Sequence, residues 1–182
     1  MLHIKKECLV ANNWSGGTTT QLFIYPNESS YKNIDFIFRV STATIEIEES
    51  TFTILPGVNR SLMLLEGEIT IHHKNQYSKT LRTFDVDSFS GDWHTTSLGK
   101  ATDFNVMTRG SAIGSVQGLL LKEHEQKRIE LNADFLLLYL YSGKLEVNDT
   151  VVNQGDLLVF ERERFSIKAL SISEIAIARI TL

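Results

Sequence analysis

The chain of 182 residues has few of the features that usually announce a function. It contains one cysteine, Cys8, so no disulfide within the chain is available. No Cys/His cluster of zinc type occurs among its five histidines. No apolar run approaches the length of a membrane span, which excludes a helical membrane protein. The formal net charge of -4 gives no electrostatic reason to expect nucleic acid or an anionic membrane. The opening residues, Met1 to Cys8, lack the apolar core of a signal peptide, so the expected location is the cytoplasm. Helical periodicity is nearly absent as well. Only Leu121 to Arg128 reads as a helical turn or two, in a charged connector.

What the chain has instead is alternation and β-branched residues, the pattern of strands. Phe36 to Glu48 holds one long strand, in which Ile45 and Ile47 alternate with Glu46 and Glu48. Leu62 to Leu65 is apolar on both faces, as for a strand covered on both sides. Ser166 to Leu170 and Glu174 to Leu182 read as closing strands. The pattern also repeats. Leu65 to Ile71, with Gly67 at its third position, parallels Tyr141 to Val147, with Gly143 there, and Asp85 to Phe89 parallels Asp156 to Phe160. A longer hairpin loop in the first copy absorbs the difference in spacing. The expected fold is therefore all-β, with two tandem barrels and few helices, divided into 1–109 and 110–182.

The stretch from Thr53 to Arg60, punctuated by Pro56-Gly57, followed by Gly67 and Gly91, resembles a cupin barrel of RmlC-like jelly-roll type. A metal cupin carries two histidines one residue apart, a carboxylate and a later histidine, because alternate strand residues share a side. Here Thr53 and Leu55 stand for the paired histidines, Arg60 for the carboxylate, and only His94 remains. Arginine is always charged and repels a cation, so no metal or other cofactor is expected. His72 and His73 face opposite sides of a strand, and His3 and His124 are isolated in polar segments.

Arg60 is the residue that most invites a ligand. If its strand face looks into the barrel, its charge needs a partner, and its planar fork suits a carboxylate or phosphate. That partner is either a small carboxylate ligand or an internal acid such as Glu66 or Asp103. Arg39, Ser41 and Thr44 on the preceding strand, Asn105, and an aromatic wall from Trp14 or Phe104 complete the candidate site. In the second copy Leu136 stands where Arg60 does, with Ile129 and Leu131 for Thr53 and Leu55, so any site is expected in the first half. The Trp14 to Thr20 segment carries paired glycines but lacks the Lys-Ser/Thr ending and the helix of a phosphate loop.

Five blocks together identify a family resemblance: Asn13 to Thr20, Phe38 to Ile45, Phe52 to Arg60, Leu64 to Gly67 and Asp103 to Arg109, with Phe89 to Asp92 beside them. In this combination the chain resembles the HutD/Ves family of bacterial bicupin proteins. The resemblance implies a cytoplasmic, metal-free bicupin. Members are associated with histidine utilisation or stress responses, with a suggested regulatory role in binding a small anionic intermediate such as urocanate or a formylated glutamate derivative. The chain departs from the family pattern where an Arg-Glu pair is replaced by Thr20-Gln21. Three functions are then in competition. The first is a binding protein for a small carboxylate, more expected than an enzyme. The second is a metal-independent isomerase or hydrolase of small acids using Glu66, Asp103 or His94. The third is an interaction module with a closed pocket, covering a partner or a second copy of the chain in a homodimer.

Overall fold

In the computed structural model, residues 1–161 and 164–182 are described, and strands account for nearly all of their regular structure. The chain divides into two compact units, Val10–Gly114 and a second made of Met1–Leu9 with Ser115–Leu182. The expected division at 109 and 110 differs from this at the amino terminus. Strand β1 (Leu2–Ile4) goes with the C-terminal unit because it pairs antiparallel with β17 (Leu157–Glu161).

In the N-terminal unit the described strands form two antiparallel sheets. One has the order β2 (Ala11–Trp14), β3 (Gly17–Tyr25), β4 (Phe38–Ile45), β11 (Ala101–Arg109), β6 (Val58–Gly67), β9 (Val86–Ser90). The other runs β5 (Glu49–Thr51), β10 (Thr95–Leu98), β7 (Ile69–His73), β8 (Ser78–Leu81). The C-terminal unit repeats the plan. One sheet is β1, β17, β14 (Phe135–Ser142), β19 (Ser173–Thr181), β12 (Ile113–Leu121). The other is β13 (Gln126–Ile129), β18 (Phe165–Ala169), β15 (Lys144–Val147), β16 (Thr150–Asn153). The architecture is the all-β bicupin expected from the sequence. Among the described residues the one helical segment is a 3₁₀ turn, Lys6–Cys8. The helical turn expected over Leu121 to Arg128 is not formed. The end of β12, a turn with His124 at positive φ, and β13 occupy it, because its ends pair with neighbouring strands.

The internal repeat survives at the level of single hydrogen bonds. Gly67 and Gly143 both adopt φ near +93 and +92°, which favours glycine, and a Cβ on either would meet a carbonyl, of Lys100 or of Ile172. The N–H of Phe84 donates to Leu64 O at 2.7 Å, and that of Gly155 to Leu140 O at 2.7 Å. The side chain of Asp85 accepts from Arg82 N–H at 2.9 Å, and Asp156 from Asn153 N–H at 3.0 Å. The longer first hairpin lies between β7 and β8, whereas Asn148-Asp149 alone join β15 to β16.

The two interiors are filled differently. In the C-terminal unit Leu136, Leu138, Leu140, Leu158, Phe160, Phe165 and Ile167 form a continuous apolar core, with Phe160 and Phe165 stacked 3.6 Å apart. In the N-terminal unit the apolar clusters are smaller and separate. One holds Leu62, Leu64, Ile69, Ile71 and Leu81, and another Phe36, Leu55, Val58 and Met107.

Asp156 ties the first residues to the C-terminal unit. Its Oδ1 accepts Lys6 N–H at 2.9 Å and its Oδ2 lies 2.9 Å from His3 Nε2. Burial alone would raise its pKa, but the N–H groups of Asn153 and Lys6 and the His3 side chain outweigh burial and hold it below the usual carboxylate range. A depressed folded-state pKa gives stability that is present above the unfolded value and lost as pH falls through the folded one. Asp156→Ala is expected to cost about 1–3 kcal/mol in urea unfolding at neutral pH, because two N–H donors lose their acceptor. The difference from the parent should shrink below about pH 4.

Candidate functional site

Strand alternation decides which side chains look into the N-terminal barrel. On β4 these are Arg39, Ser41, Ala43 and Ile45; on β11, Met107, Asn105 and Asp103; on β3, Gln21 and Thr19. The register places them in rows. Arg39, Met107 and Arg60 lie side by side across β4, β11 and β6, with Phe89 of β9 next. In the adjacent row stand Gln21, Ser41, Asn105 and Leu62, and beyond it Ala43, Asp103 and Leu64. The outcome is a polar patch on the inner face of a sheet, opening on a cavity of about 510 Å³. Phe52, Ser50 and Thr51 close it from β5 and the residue after it, Tyr31 from the β3–β4 connection, and Asn12, Asn13 and Trp14 from β2 on its exposed side.

The two arginines are held in different ways. Arg39 donates from Nε to Gln21 Oε1 at 2.9 Å and from Nη1 to Ser41 Oγ at 3.0 Å, and its guanidinium lies 4.5 Å from the Tyr31 ring centre. Arg60 is 8% exposed and donates from Nη2 to Asn105 Oδ1 at 3.3 Å. Its guanidinium rests on the faces of Phe52, at 4.8 Å, and Phe89, at 5.2 Å. Such contacts recover part of the cost of removing the charge from water. Its buried Nε has no hydrogen-bond partner. Among the described residues no ion pair joins either arginine to a carboxylate. Burial pulls both guanidiniums below the ordinary arginine range, against a smaller opposing pull on Arg60 from Asp103.

Asp103 is buried beside this pair and accepts a hydrogen bond from Asn105 Nδ2. Burial pushes its carboxyl up to about 7, and the Arg60 charge, Asn105 and the Ala43 N–H offset only part of that.

Of the residues expected from sequence, Arg60, Arg39, Ser41, Asn105 and Trp14 line the cavity together. Thr44, Phe104 and Glu66 do not. Thr44 and Phe104 belong to the opposite faces of β4 and β11, one residue out of phase with Ser41 and Asp103. Thr44 bonds Thr102 at 3.3 Å, and Phe104 is fully buried between Thr42 and Met63 as cross-strand partners. Glu66 is exposed near the end of β6, beyond a bulge between Thr102 and Asp103 that shifts its register. The internal acid nearest the arginine in this network is Asp103, reached through Asn105 rather than directly.

Of the metal-cupin positions, Thr53 lines the cavity, Leu55 is buried in the Phe36–Met107 cluster, and His94 is exposed. Among the described residues no group of three or more His, Cys, Asp or Glu is placed to hold a metal ion. A buried guanidinium at the centre of the site does not fit one either. The paired glycines serve packing: Gly16 sits under the Trp14 indole and Gly17 against the Thr44 carbonyl.

Sequence reading missed Gln21, Tyr31 and Phe52 as partners of the arginines, and a second buried network. His73 is fully buried, with Nδ1 at 2.8 Å from Thr95 Oγ1 and Nε2 at 2.9 Å from Asp87 Oδ2. The Tyr77 hydroxyl donates to Asp87 Oδ1 at 2.9 Å and is pushed up to about 12 by burial and by that carboxylate. The detectable signal was Asp87 two residues before Phe89, on the inward phase of β9.

The HutD family model matches residues 6–177 of this chain. Protein Ves of Citrobacter koseri is 33% identical over 109 residues, 54% of this chain and 52% of that protein, so the match spans about half the length of this relative. The structure of HutD from Pseudomonas fluorescens, in a formate condition, superposes with a TM-score of 0.77 at 16% identity, over 99% of this chain and 97% of that one. An Escherichia coli pirin in complex with nickel(II) superposes with a TM-score of 0.74 at 11% identity, over 98% and 97%. At these identities the two structures speak for the cupin fold alone.

The raised pKa of Asp103 has a defined sign in stability. A carboxyl whose folded value lies above its unfolded one binds more protons when folded, so its contribution is present below about pH 4 and lost as pH rises through about 7. Asp103→Asn keeps an acceptor for Asn105. Chemical denaturation should show the parent losing stability relative to this variant between pH 4 and 7, with the difference constant above about pH 8.

Proposed function

Because the chain belongs to the HutD family, we propose that its N-terminal barrel binds a small carboxylate in the cytoplasm, in a regulatory role tied to histidine utilisation. The observation that carries this reading is Arg60: a buried cation with no carboxylate paired to it and an Nε–H lacking an acceptor, on the wall of a cavity of about 510 Å³. A ligand carboxylate supplies the counter-charge that no carboxylate of the described residues provides. Arg39 adds a second positive charge one strand beyond Met107. Its acceptor is neutral Gln21, at the position where the family pattern has a carboxylate, so the cavity holds one negative charge fewer. Trp14, Tyr31 and Phe52 offer an apolar wall, the usual makeup of a pocket with few placed polar groups. Urocanate and formylated glutamate derivatives are the first ligands to try.

Asp103 favours a second reading, a metal-independent isomerase or hydrolase of small acids. A carboxyl with a value of about 7 at the cavity wall is suited to move a proton. Turnover of a bound acid that disappears in Asp103→Asn would establish it. The closed-pocket interaction module has the least support, since the cavity is open enough to admit a metabolite.

A thermal-shift screen of small carboxylates tests the binding reading. A ligand at about a hundred times its Kd stabilises the protein by roughly 2.7 kcal/mol. Arg60→Ala is expected to abolish that shift, measured against its own ligand-free form. Thr44→Val and Glu66→Gln, outside the cavity, should leave it unchanged. Equal shifts in Arg60→Ala and the parent would sink the reading.

A further inference from the structure

Among the described residues that line the cavity there is one acid, Asp103, and it stands where a ligand's charge would be felt. It ends a hydrogen-bonded chain that begins at Arg60, whose Nη2 donates to Asn105 Oδ1 while Asn105 Nδ2 donates to Asp103 Oδ1. Its cross-strand neighbours are Ala43 on β4 and Leu64 on β6, so neither adjacent position brings a charge to it. The charged and titratable groups of the cavity wall around it are Arg60 from β6, Arg39 from β4 and Tyr31 from the β3–β4 connection. β5 brings Ser50 and Thr51, and β2 brings Asn12, Asn13 and Trp14, none of them ionisable. The other buried ionisable groups of this unit, His73 and Asp87, are bonded to each other. Arg60 is thus the cation that favours an ionised Asp103 and also the one with an unused buried donor.

We propose that Asp103 takes up a proton from solvent when an anion engages Arg60, so that this cavity binds a carboxylate and a proton together. The inference rests on the carboxylate-binding reading of the same cavity. Its physical basis is competition for one cation. Without a ligand, the field of Arg60 is the main influence holding the buried Asp103 carboxyl down. A carboxylate at Arg60 cancels that field and adds a like charge at a wall where burial already disfavours the ionised Asp103 carboxyl. Two carboxylates that share one site do not both stay ionised. The balance is one ligand anion and one proton entering together, the proton residing on an Asp103 carboxyl oxygen, with no covalent change in the ligand. Because the ligand-free value of about 7 lies in the physiological range, the exchange is expressed there. Ligand affinity then falls as pH rises, by up to about tenfold per pH unit between the ligand-free and ligand-bound midpoints. Occupancy reports acidity as well as metabolite level, and a neutral ligand of the same shape gains nothing from a fall in pH.

The test uses sodium formate, the smallest carboxylate, and the full chain labelled with ¹³C-aspartate and ¹⁵N-arginine. The Asp103 carboxyl shift is titrated from pH 5 to 9 with and without formate, and the Arg60 Nε–H resonance is followed in the same samples. The expected result is that formate moves the Arg60 resonance and raises the Asp103 midpoint by about one pH unit or more. If the Arg60 resonance moves and the Asp103 midpoint does not, proton uptake is overturned and the carboxylate site stands. If saturating formate moves neither, the carboxylate site fails and this inference with it. Asp103→Asn supplies a sign that a merely structural role would not produce. It should bind formate about tenfold more tightly than the parent at pH 8.5 and equally at pH 5.5. Weaker binding by the variant at both pH values would overturn the proposal.

Discussion

A guanidinium that has left water must be given something in exchange, and in the N-terminal unit Arg60 receives two aromatic faces and one amide oxygen. That exchange is incomplete, since one N–H is left with nothing to donate to. The rest of the site can be understood as the consequence. Phe52 and Phe89 must flank the strand that carries Arg60, Asn105 must turn its oxygen towards the cation, and its remaining amide hydrogens then demand an acceptor, which is Asp103. The polar rows on β4 and β11 exist because a charge on β6 needs neighbours that can meet it across the sheet. The positions beside Asp103, Ala43 and Leu64, hold no acid that would add a second negative charge to this network.

The two units show the same frame used for opposite ends. Glycines at positive φ, the Leu64 and Leu140 carbonyls, and aspartates 85 and 156 recur in place, which keeps strand spacing and turn geometry fixed. Only the side chains pointing inward change. Where Arg60 pairs with Phe89 across β6 and β9, Leu136 pairs with Phe160 across β14 and β17. With the polar residues of β3, β4 and β11 around it, Arg60 lies on a cavity wall where the other unit has a continuous apolar core. The C-terminal unit gains packing, and the N-terminal unit trades packing for a cavity.

Much of this is legible in the sequence. The repeat, the paired hairpin glycines and the exchange of Arg60 for Leu136 are local patterns, and strand alternation is a two-residue rule that a sequence displays directly. Phase was harder. Ser41 and Thr44 differ by an odd number of residues, so they cannot share a face of a regular strand, and Asp103, Phe104 and Asn105 cannot all look inward. The bulge opposite Leu65 that moves Glu66 leaves no mark in composition. The His73 and Asp87 pair is brought together by the barrel, from strands that do not neighbour each other in either sheet. The attachment of Leu2–Ile4 to β17 is likewise a long-range pairing that no local pattern encodes.

That last pairing has a bearing on how the molecule is made. Lys6 and Asp156 are 150 positions apart, and between them lies the whole of Val10–Gly114. A chain synthesised from its amino terminus therefore carries β1 without a strand partner until β17 has been completed. The N-terminal barrel has all its own strands by Arg109 and can form first, as an insertion within a unit that is still unfinished. The C-terminal unit closes a far longer chain excursion, and its completion waits for the last strands to be made.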